Sequence, residues 1–235
     1  MFNPQAKLQV INFDDQHKCL VVDDALMEPE LWVKQAILYQ DKFVSLPGNA
    51  YPGIELRMAD DVSKAIMDFI RIPAKQYLNV RRFIEGYSRL AMVTKTPEQL
   101  RPCHWICHRD KLKTLPGQSA IASIIYLFKE PALGGTLFFK PKKTKFETDL
   151  FLHSTNMMPA EDFEQKFAIK PAFMTESNEF FELIGTVPAK WNRLIFYDGM
   201  QFHSGNIQHP EKMTNNPELG RLTLNGFFTG RAGLA

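Results

Sequence analysis

The sequence predicts a mainly β architecture with flanking α-helices, an antiparallel sandwich or barrel. Three observations carry this. After residue 87, six or more short strand candidates follow one another with no long helix between them. Those runs are rich in aromatic and β-branched residues, Phe occurring 19 times against 6 Tyr and 3 Trp. Turn signals (LPGQ, LGG, PKK and DGM) separate the runs. Alternating βαβ units would need long helical patterns between the strands, and none lie there.

The front of the chain reads differently. Strand candidates around Leu8–Phe13 and Lys18–Val22 flank an Asp-Asp-Gln turn. From Pro29 the apolar residues Leu31, Trp32, Ala36, Ile37 and Tyr39 recur at helical spacing, with Pro at the permitted first turn, predicting a helix to Tyr39 or Gln40. Residues 45–57 hold two Pro-Gly steps and read as an ordered loop. Asp60 is expected to cap a second helix through Ile70, and Pro73 to restart a shorter segment. Strands are then expected at Ser88–Thr94, His104–His108, Ile121–Phe128, Thr136–Lys140, Phe180–Val187, Asn192–Tyr197, Phe202–Ser204 and Leu222–Thr229. Residues 142–178 read as a solvated charged turn, a loop and a short helix begun by Pro159. The polar segment 208–220 reads as a mobile loop or a lid. No low-complexity boundary divides the chain. Residues 1–235 are therefore expected to form one domain, with about 1–80 supplying N-terminal strands and supporting helices and about 81–230 the core.

Composition narrows the function. Lys plus Arg is 28 against Asp plus Glu at 26, a balance of +2 that gives no support to nucleic-acid or membrane-surface binding. The densest apolar stretch, Ile121 to Phe128, is far too short to span a bilayer. Cys19, Cys103 and Cys107 cannot all pair within one chain, and no apolar leader follows a basic start. A cytoplasmic protein is expected. Oligomeric state is not legible.

The densest polar constellation is C103-H-W-I-C-H-R-D110. A structural zinc site from Cys103, His104, Cys107 and His108 is one reading, though the separated ligand pairs of zinc modules are missing. On an ideal strand the two thiols lie on one face, as core packing, while His104, His108 and Asp110 share the other. His108 and Asp110 could then grip one metal, and a distant histidine would complete a two-histidine, one-carboxylate triad that leaves positions open on ferrous iron. His104 is a rival ligand. No nucleophile elbow, P-loop, dinucleotide fingerprint, H-E-x-x-H or EF-hand loop is present.

The order of elements adds to this. His108-Arg109-Asp110 is followed by IIYLF at 124–128, GGTLFF at 134–139, Pro188 to Phe196, His203-Ser204-Gly205, and Arg221 to Phe228. In this order the chain resembles the iron(II)- and 2-oxoglutarate-dependent dioxygenases with a prolyl-hydroxylase-like arrangement, over about residues 80–230. The resemblance implies a double-stranded β-helix, the jelly roll or cupin-like barrel. It also implies iron(II) held by His108, Asp110 and His203, with 2-oxoglutarate as cosubstrate. Arg221 would offer a two-pronged cation to its distal carboxylate, Tyr126 and Thr223 adding hydroxyls. Such an enzyme would turn oxygen and 2-oxoglutarate into succinate and carbon dioxide while hydroxylating a C–H bond of a small molecule, an amino acid or a peptide side chain. Retention of Asp110 at the carboxylate position implies oxygen insertion rather than halogenation.

Two departures are notable. Trp191-Asn192 stands where the family commonly has Gly in its Pro-led turn, and Asn tolerates left-handed backbone better than most residues. The interval from His203 to Arg221 is longer than usual, segment 208–220 accounting for the excess. Three alternatives stay open on the sequence: a cupin-like metal enzyme without 2-oxoglutarate, a non-catalytic jelly-roll binding protein, and a zinc-stabilised interaction protein.

Overall fold

A computed structural model of the chain describes residues 1–45, 51–110, 112 and 114–233. Strands β1 (Leu8–Asn12) and β2 (Lys18–Val22) precede helix α1 (Pro29–Leu38), strand β3 (Gly53–Arg57) and helix α2 (Asp60–Tyr77). Next come β4 (Val80–Val93), β5 (Gln118–Tyr126), β6 (Thr136–Pro141), α3 (Lys145–Met157), α4 (Ala160–Phe167), β7 (Phe181–Val187), β8 (Leu194–Asp198), β9 (Phe202–Gly205) and β10 (Leu222–Ala232). Among the described residues the strands form two antiparallel sheets, ordered β1-β2-β8-β5-β10-β4-β3 and β7-β6-β9. Two sheets with helices on their outer faces are consistent with a core like the double-stranded β-helix.

The expected closed barrel is not reached: no sheet closes on itself among the described residues. The reason lies at β9, a four-residue strand whose free edge meets the segment around His108. That segment, held by the helical turn Pro102–His104, contributes a single rung, His108 to His203, rather than a ladder.

Strand alternation sorts the side chains into three cores. The outer face of the large sheet, with Leu90, Met92, Leu224, Phe228 and Ile125, packs on Ala36 of α1 and Ile66, Ile70 and Ala74 of α2. Its inner face meets the small sheet through Tyr126, Phe138, Ile195 and Tyr197. The far face of the small sheet is covered by α3 and α4, where Phe151 stacks on Phe180 at 3.8 Å and Phe163 is fully buried.

Several expectations change. The loop expected over 45–57 is a strand from Gly53 onward, and residues 46–50 lie outside the described residues. Helix α2 runs through Pro73 to Tyr77, because one missing N–H removes a single internal bond while the apolar face stays packed on β4. Its N-cap is Ala59 rather than Asp60. Helix α3 replaces most of the expected charged turn. Its signal was a capping box, in which the Thr144 hydroxyl accepts from the Glu147 N–H while the Glu147 carboxylate accepts from the Thr144 N–H. The expected strand His104–His108 is a turn plus one bridge, since Pro102 sets a helical φ and supplies no N–H.

Candidate metal centre

The cluster is built by three chain segments. His203 sits on β9, paired with Phe138 of β6, so its ring turns into the space between the sheets. His108 and His203 exchange both backbone hydrogen bonds at 2.9 Å. Two residues on, the Asp110 N–H donates to the Gly199 carbonyl at 2.9 Å, which carries the carboxylate into the same space. One ligand atom from each of His108, Asp110 and His203 lies within 4.8 Å of the others. Among the described residues this is the group able to hold a metal ion. His104 does not join it, because its Nδ1 turns back to accept from the Arg101 N–H at 3.0 Å. Cys103 and Cys107 are free thiols outside the group, and burial pushes the Cys107 thiol well above its usual range.

The donor set fits a cation. His203 Nδ1 faces the Gln201 carbonyl at 2.9 Å. A carbonyl only accepts, so Nδ1 carries the proton and Nε2 presents its lone pair, 3.8 Å from Asp110 Oδ1. Asp110 Oδ2 is buried with no hydrogen-bond partner among the described residues. Burial raises the Asp110 carboxyl above its ordinary value, opposed by His203 and Arg89. A cation beside it would offset that desolvation. His108 is exposed where the other two are buried, leaving one side of the cluster open.

The cluster forms part of the wall of a cavity of about 570 Å³, which also meets Thr136, Tyr197, Arg221, Thr223 and Asn225. Arg221 is 5% exposed just before β10. Its Nε donates to the carbonyls of Leu133 and Gly134 at 3.1 and 3.2 Å, and its Nη2 to that of Gly135 at 3.0 Å. The turn suits Gly: Gly134 has φ +85°, and a Cβ there would lie 1.9 Å from the Asn206 carbonyl oxygen. Arg221 has no carboxylate partner among the described residues.

Thr223 lines the cavity and donates to the Ala91 carbonyl at 3.3 Å. Tyr126 does not line it. Its ring is fully buried, its hydroxyl meets Thr136 Oγ1 at 2.8 Å, and Thr136 is the group that reaches the cavity. Burial raises the Tyr126 phenol, opposed by Thr136 and Arg221. No residue of 208–220 lines the cavity. That segment is tied down by packing of Met213 and by the hydrogen bond from Gln40 to the Asn215 carbonyl at 3.0 Å.

Sequence reasoning missed Tyr51, Tyr87, Arg89, Thr136 and Asn225, all on the cavity wall. Alternation along β4 and β10 (Tyr87, Arg89, Ala91; Thr223, Asn225, Phe227) carried the signal for three of them. Tyr51 had none. Asn192, in contrast, adopts φ 60° as anticipated. It also pairs with Leu26 like a strand neighbour, accepting from its N–H and donating to its carbonyl, both at 2.9 Å.

The fold and the cluster together define a sheet protein with flanking helices and a two-histidine, one-carboxylate group suited to a metal ion. Residues 4–228 match the model of the family described as "Family of unknown function (DUF6445)", and the chain belongs to that family. A comparison with curated proteins gives no match. Among solved structures, the chain is similar to a Pseudomonas putida prolyl-4-hydroxylase at 14% identity, covering 93% of this chain and 95% of that one, with a TM-score of 0.46. It is similar to EvdO2 from Micromonospora carbonacea var. aurantiaca, complexed with 2-oxoglutarate, at 14% identity over 97% and 96%, TM-score 0.46. HygX from Streptomyces hygroscopicus, with nickel and 2-oxoglutarate bound, matches at 13% identity over 92% and 84%, TM-score 0.47. At these scores the likenesses assign no activity to the chain. No helix among the described residues is long and apolar enough to cross a membrane.

Proposed function

We propose that the protein is a cytoplasmic iron(II)- and 2-oxoglutarate-dependent oxygenase of the prolyl-hydroxylase-like type. It would hydroxylate a C–H bond of a small molecule or of an amino-acid or peptide side chain, acting as one double-stranded β-helix domain over residues 1–235 with its catalytic core at about 81–230. The observation that carries the reading is the meeting of His108, Asp110 and His203 within 4.8 Å on the wall of a cavity that also holds a buried, carboxylate-free Arg221.

In this reading His108, Asp110 and His203 would hold the metal, and iron with 2-oxoglutarate would supply the oxygen-activating chemistry. Gln201 orients His203 by accepting from Nδ1, which keeps Nε2 a ligand. The carbonyls of Leu133, Gly134 and Gly135 hold the guanidinium of Arg221 for the distal carboxylate of the cosubstrate. Thr223 adds a hydroxyl from the neighbouring wall. Tyr126 acts one step removed, through Thr136. The apolar walls exclude water from the reacting centre.

The test is metal analysis of protein reconstituted without oxygen, joined to an assay of succinate formed from 2-oxoglutarate. One iron per chain and iron-dependent succinate are expected in the wild type. Both should be lost in a folded His203→Ala variant. Zinc bound through Cys103 and Cys107 and indifferent to His203 would overturn the reading, and a halogenated product in the presence of chloride would overturn the hydroxylase part of it.

A further inference from the structure

The inner face of the large sheet carries a row of side chains whose neighbours are set by register. Tyr87 lies opposite Phe227, Arg89 opposite Asn225, and Ala91 opposite Thr223. Ile124 of β5 flanks Asn225 from the other side. Arg221 lies two residues before Thr223, at one end of the row. The metal cluster lies toward the other end: His203 touches Tyr197 at 5.0 Å, Tyr197 pairs with Ala122, and Ala122 pairs with Phe227. Asn225 sits between these two ends, on the cavity wall.

Asn225 is 7% exposed, and its Oδ1 has no hydrogen-bond partner among the described residues. A buried amide acceptor is normally paired, so an unpaired one facing a cavity points to a ligand donor. Among the described residues the arginines nearest it are ion-paired, although Arg89 Nε itself has no hydrogen-bond partner. Arg89 is paired with Glu55, their side chains 11% and 12% exposed, and its guanidinium packs on the rings of Tyr51 and Phe227 at 5.0 and 4.9 Å. Arg109 is paired with Asp149 at 3.1 Å. Of the described arginines on the cavity wall, Arg221 alone lacks a carboxylate, and it lies at the far end of the row. Tyr87, Ile124 and Phe227 make the wall beside Asn225 predominantly apolar.

We propose that Asn225 is the recognition point of a substrate subsite that takes an uncharged ligand carrying a carboxamide N–H on an apolar body. The ligand N–H donates to Asn225 Oδ1, and its apolar part lies along Tyr87, Ile124 and Phe227. Among the described residues a carboxylate would meet there only an arginine already neutralised by Glu55, and an ester would leave Oδ1 unpaired. That the ligand is a substrate rests on the oxygenase reading; that it binds does not, because no metal takes part in the contact.

The test is calorimetric or ligand-observed NMR titration of the metal-free full chain with 3-phenylpropanamide, methyl 3-phenylpropanoate and 3-phenylpropanoic acid, of which only the first carries an N–H. The amide should bind about tenfold more tightly than either of the others, the range expected for one buried hydrogen bond and an unpaired group avoided. Asn225→Leu and Asn225→Val, the second β-branched and suited to the strand, should each bring the amide down to the ester's affinity while the thermal transition stays cooperative. Repeating the titration with Mn(II) and excess 2-oxoglutarate should leave amide binding unchanged. Equal binding of amide, ester and acid in the wild type would overturn the proposal without recourse to any variant. So would a preference that survives both substitutions, or displacement of the amide by 2-oxoglutarate. Failure of the oxygenase reading would show separately, as metal binding indifferent to His203, and would leave the amide titration as it stands.

Discussion

Replacing Arg221 by alanine should separate cosubstrate binding from metal binding. The guanidinium is 5% exposed and held by three main-chain carbonyls at 3.0 to 3.2 Å, with no carboxylate to neutralise it among the described residues. A dicarboxylate entering the cavity would complete a buried, charge-assisted pair. Removing one partner of such a pair typically costs about 3–5 kcal/mol, or roughly 100- to 5,000-fold in the dissociation constant. The loss should be confined to the distal carboxylate, so a ligand-side control is available: 2-oxopentanoate lacks that group but keeps the 2-oxo acid. Anaerobic calorimetry with metal-loaded protein should show wild type preferring 2-oxoglutarate over 2-oxopentanoate by about 100-fold or more, and Arg221→Ala binding the two within about threefold. Arg221→Lys should recover part of the preference, since the charge returns without the planar fork. Iron content should change little in either variant. Because the substitution also strips the Leu133, Gly134 and Gly135 carbonyls of a donor, Arg221→Ala should be less stable by about 2–4 kcal/mol. The ratio of the two ligands is immune to that shift. A wild-type preference that persists undiminished in Arg221→Ala would refute the placement of the cosubstrate pocket.

Other expectations concern the frame. Asp23 receives Arg193 Nε at 2.6 Å and Lys190 Nζ at 2.9 Å, and the Arg193 guanidinium, with Lys190, holds its carboxyl down to about 2. A depressed carboxylate stabilises the fold above its unfolded pKa and ceases to do so as pH falls through the folded value. With the side chain 37% exposed, solvent screening reduces the nominal ~2 kcal/mol to about 1. Urea titrations should show wild type exceeding Asp23→Asn by that amount near neutrality, the gap closing between about pH 4 and pH 2. Phe163 is fully buried against Trp105, Phe151 and Phe167, so Phe163→Ala should cost about 3–5 kcal/mol and lower the thermal midpoint by roughly 6–20 °C in a calorimetric scan. Gly134→Ala should weaken 2-oxoglutarate binding by about tenfold or more even in folded protein, as its Cβ, at φ +85°, collides with the Asn206 carbonyl and shifts the carbonyls that hold Arg221. Unchanged affinity would show that this turn does not position the guanidinium.

Local chemistry made much of the molecule legible in advance. Alternating aromatic and β-branched runs placed the core strands from Ile121 onward, because period-two burial is written residue by residue. Helix α1 announced itself through Pro29 and its spacing, and Asn192 through the left-handed turn it occupies. The pairing of His108 with Asp110 on one side of the chain was a local inference, and the ordered motifs singled out His203 and Arg221. What remained hidden depends on contacts between segments far apart in sequence. Whether His104 or His108 joins the cluster was decided by Pro102 turning the chain into a helical turn, which ideal strand alternation could not foresee. Tyr126 and Thr136 had to be seen together before the buried hydroxyl could be told from the one that reaches the cavity. Asn225 is one polar residue in an apolar strand. Only the register that sets it opposite Arg89, whose charge is matched by Glu55, shows its amide oxygen as an unmet acceptor on the cavity wall among the described residues. Secondary structure follows from neighbours along the chain, whereas the state of a buried polar atom is fixed by which distant strands close around it.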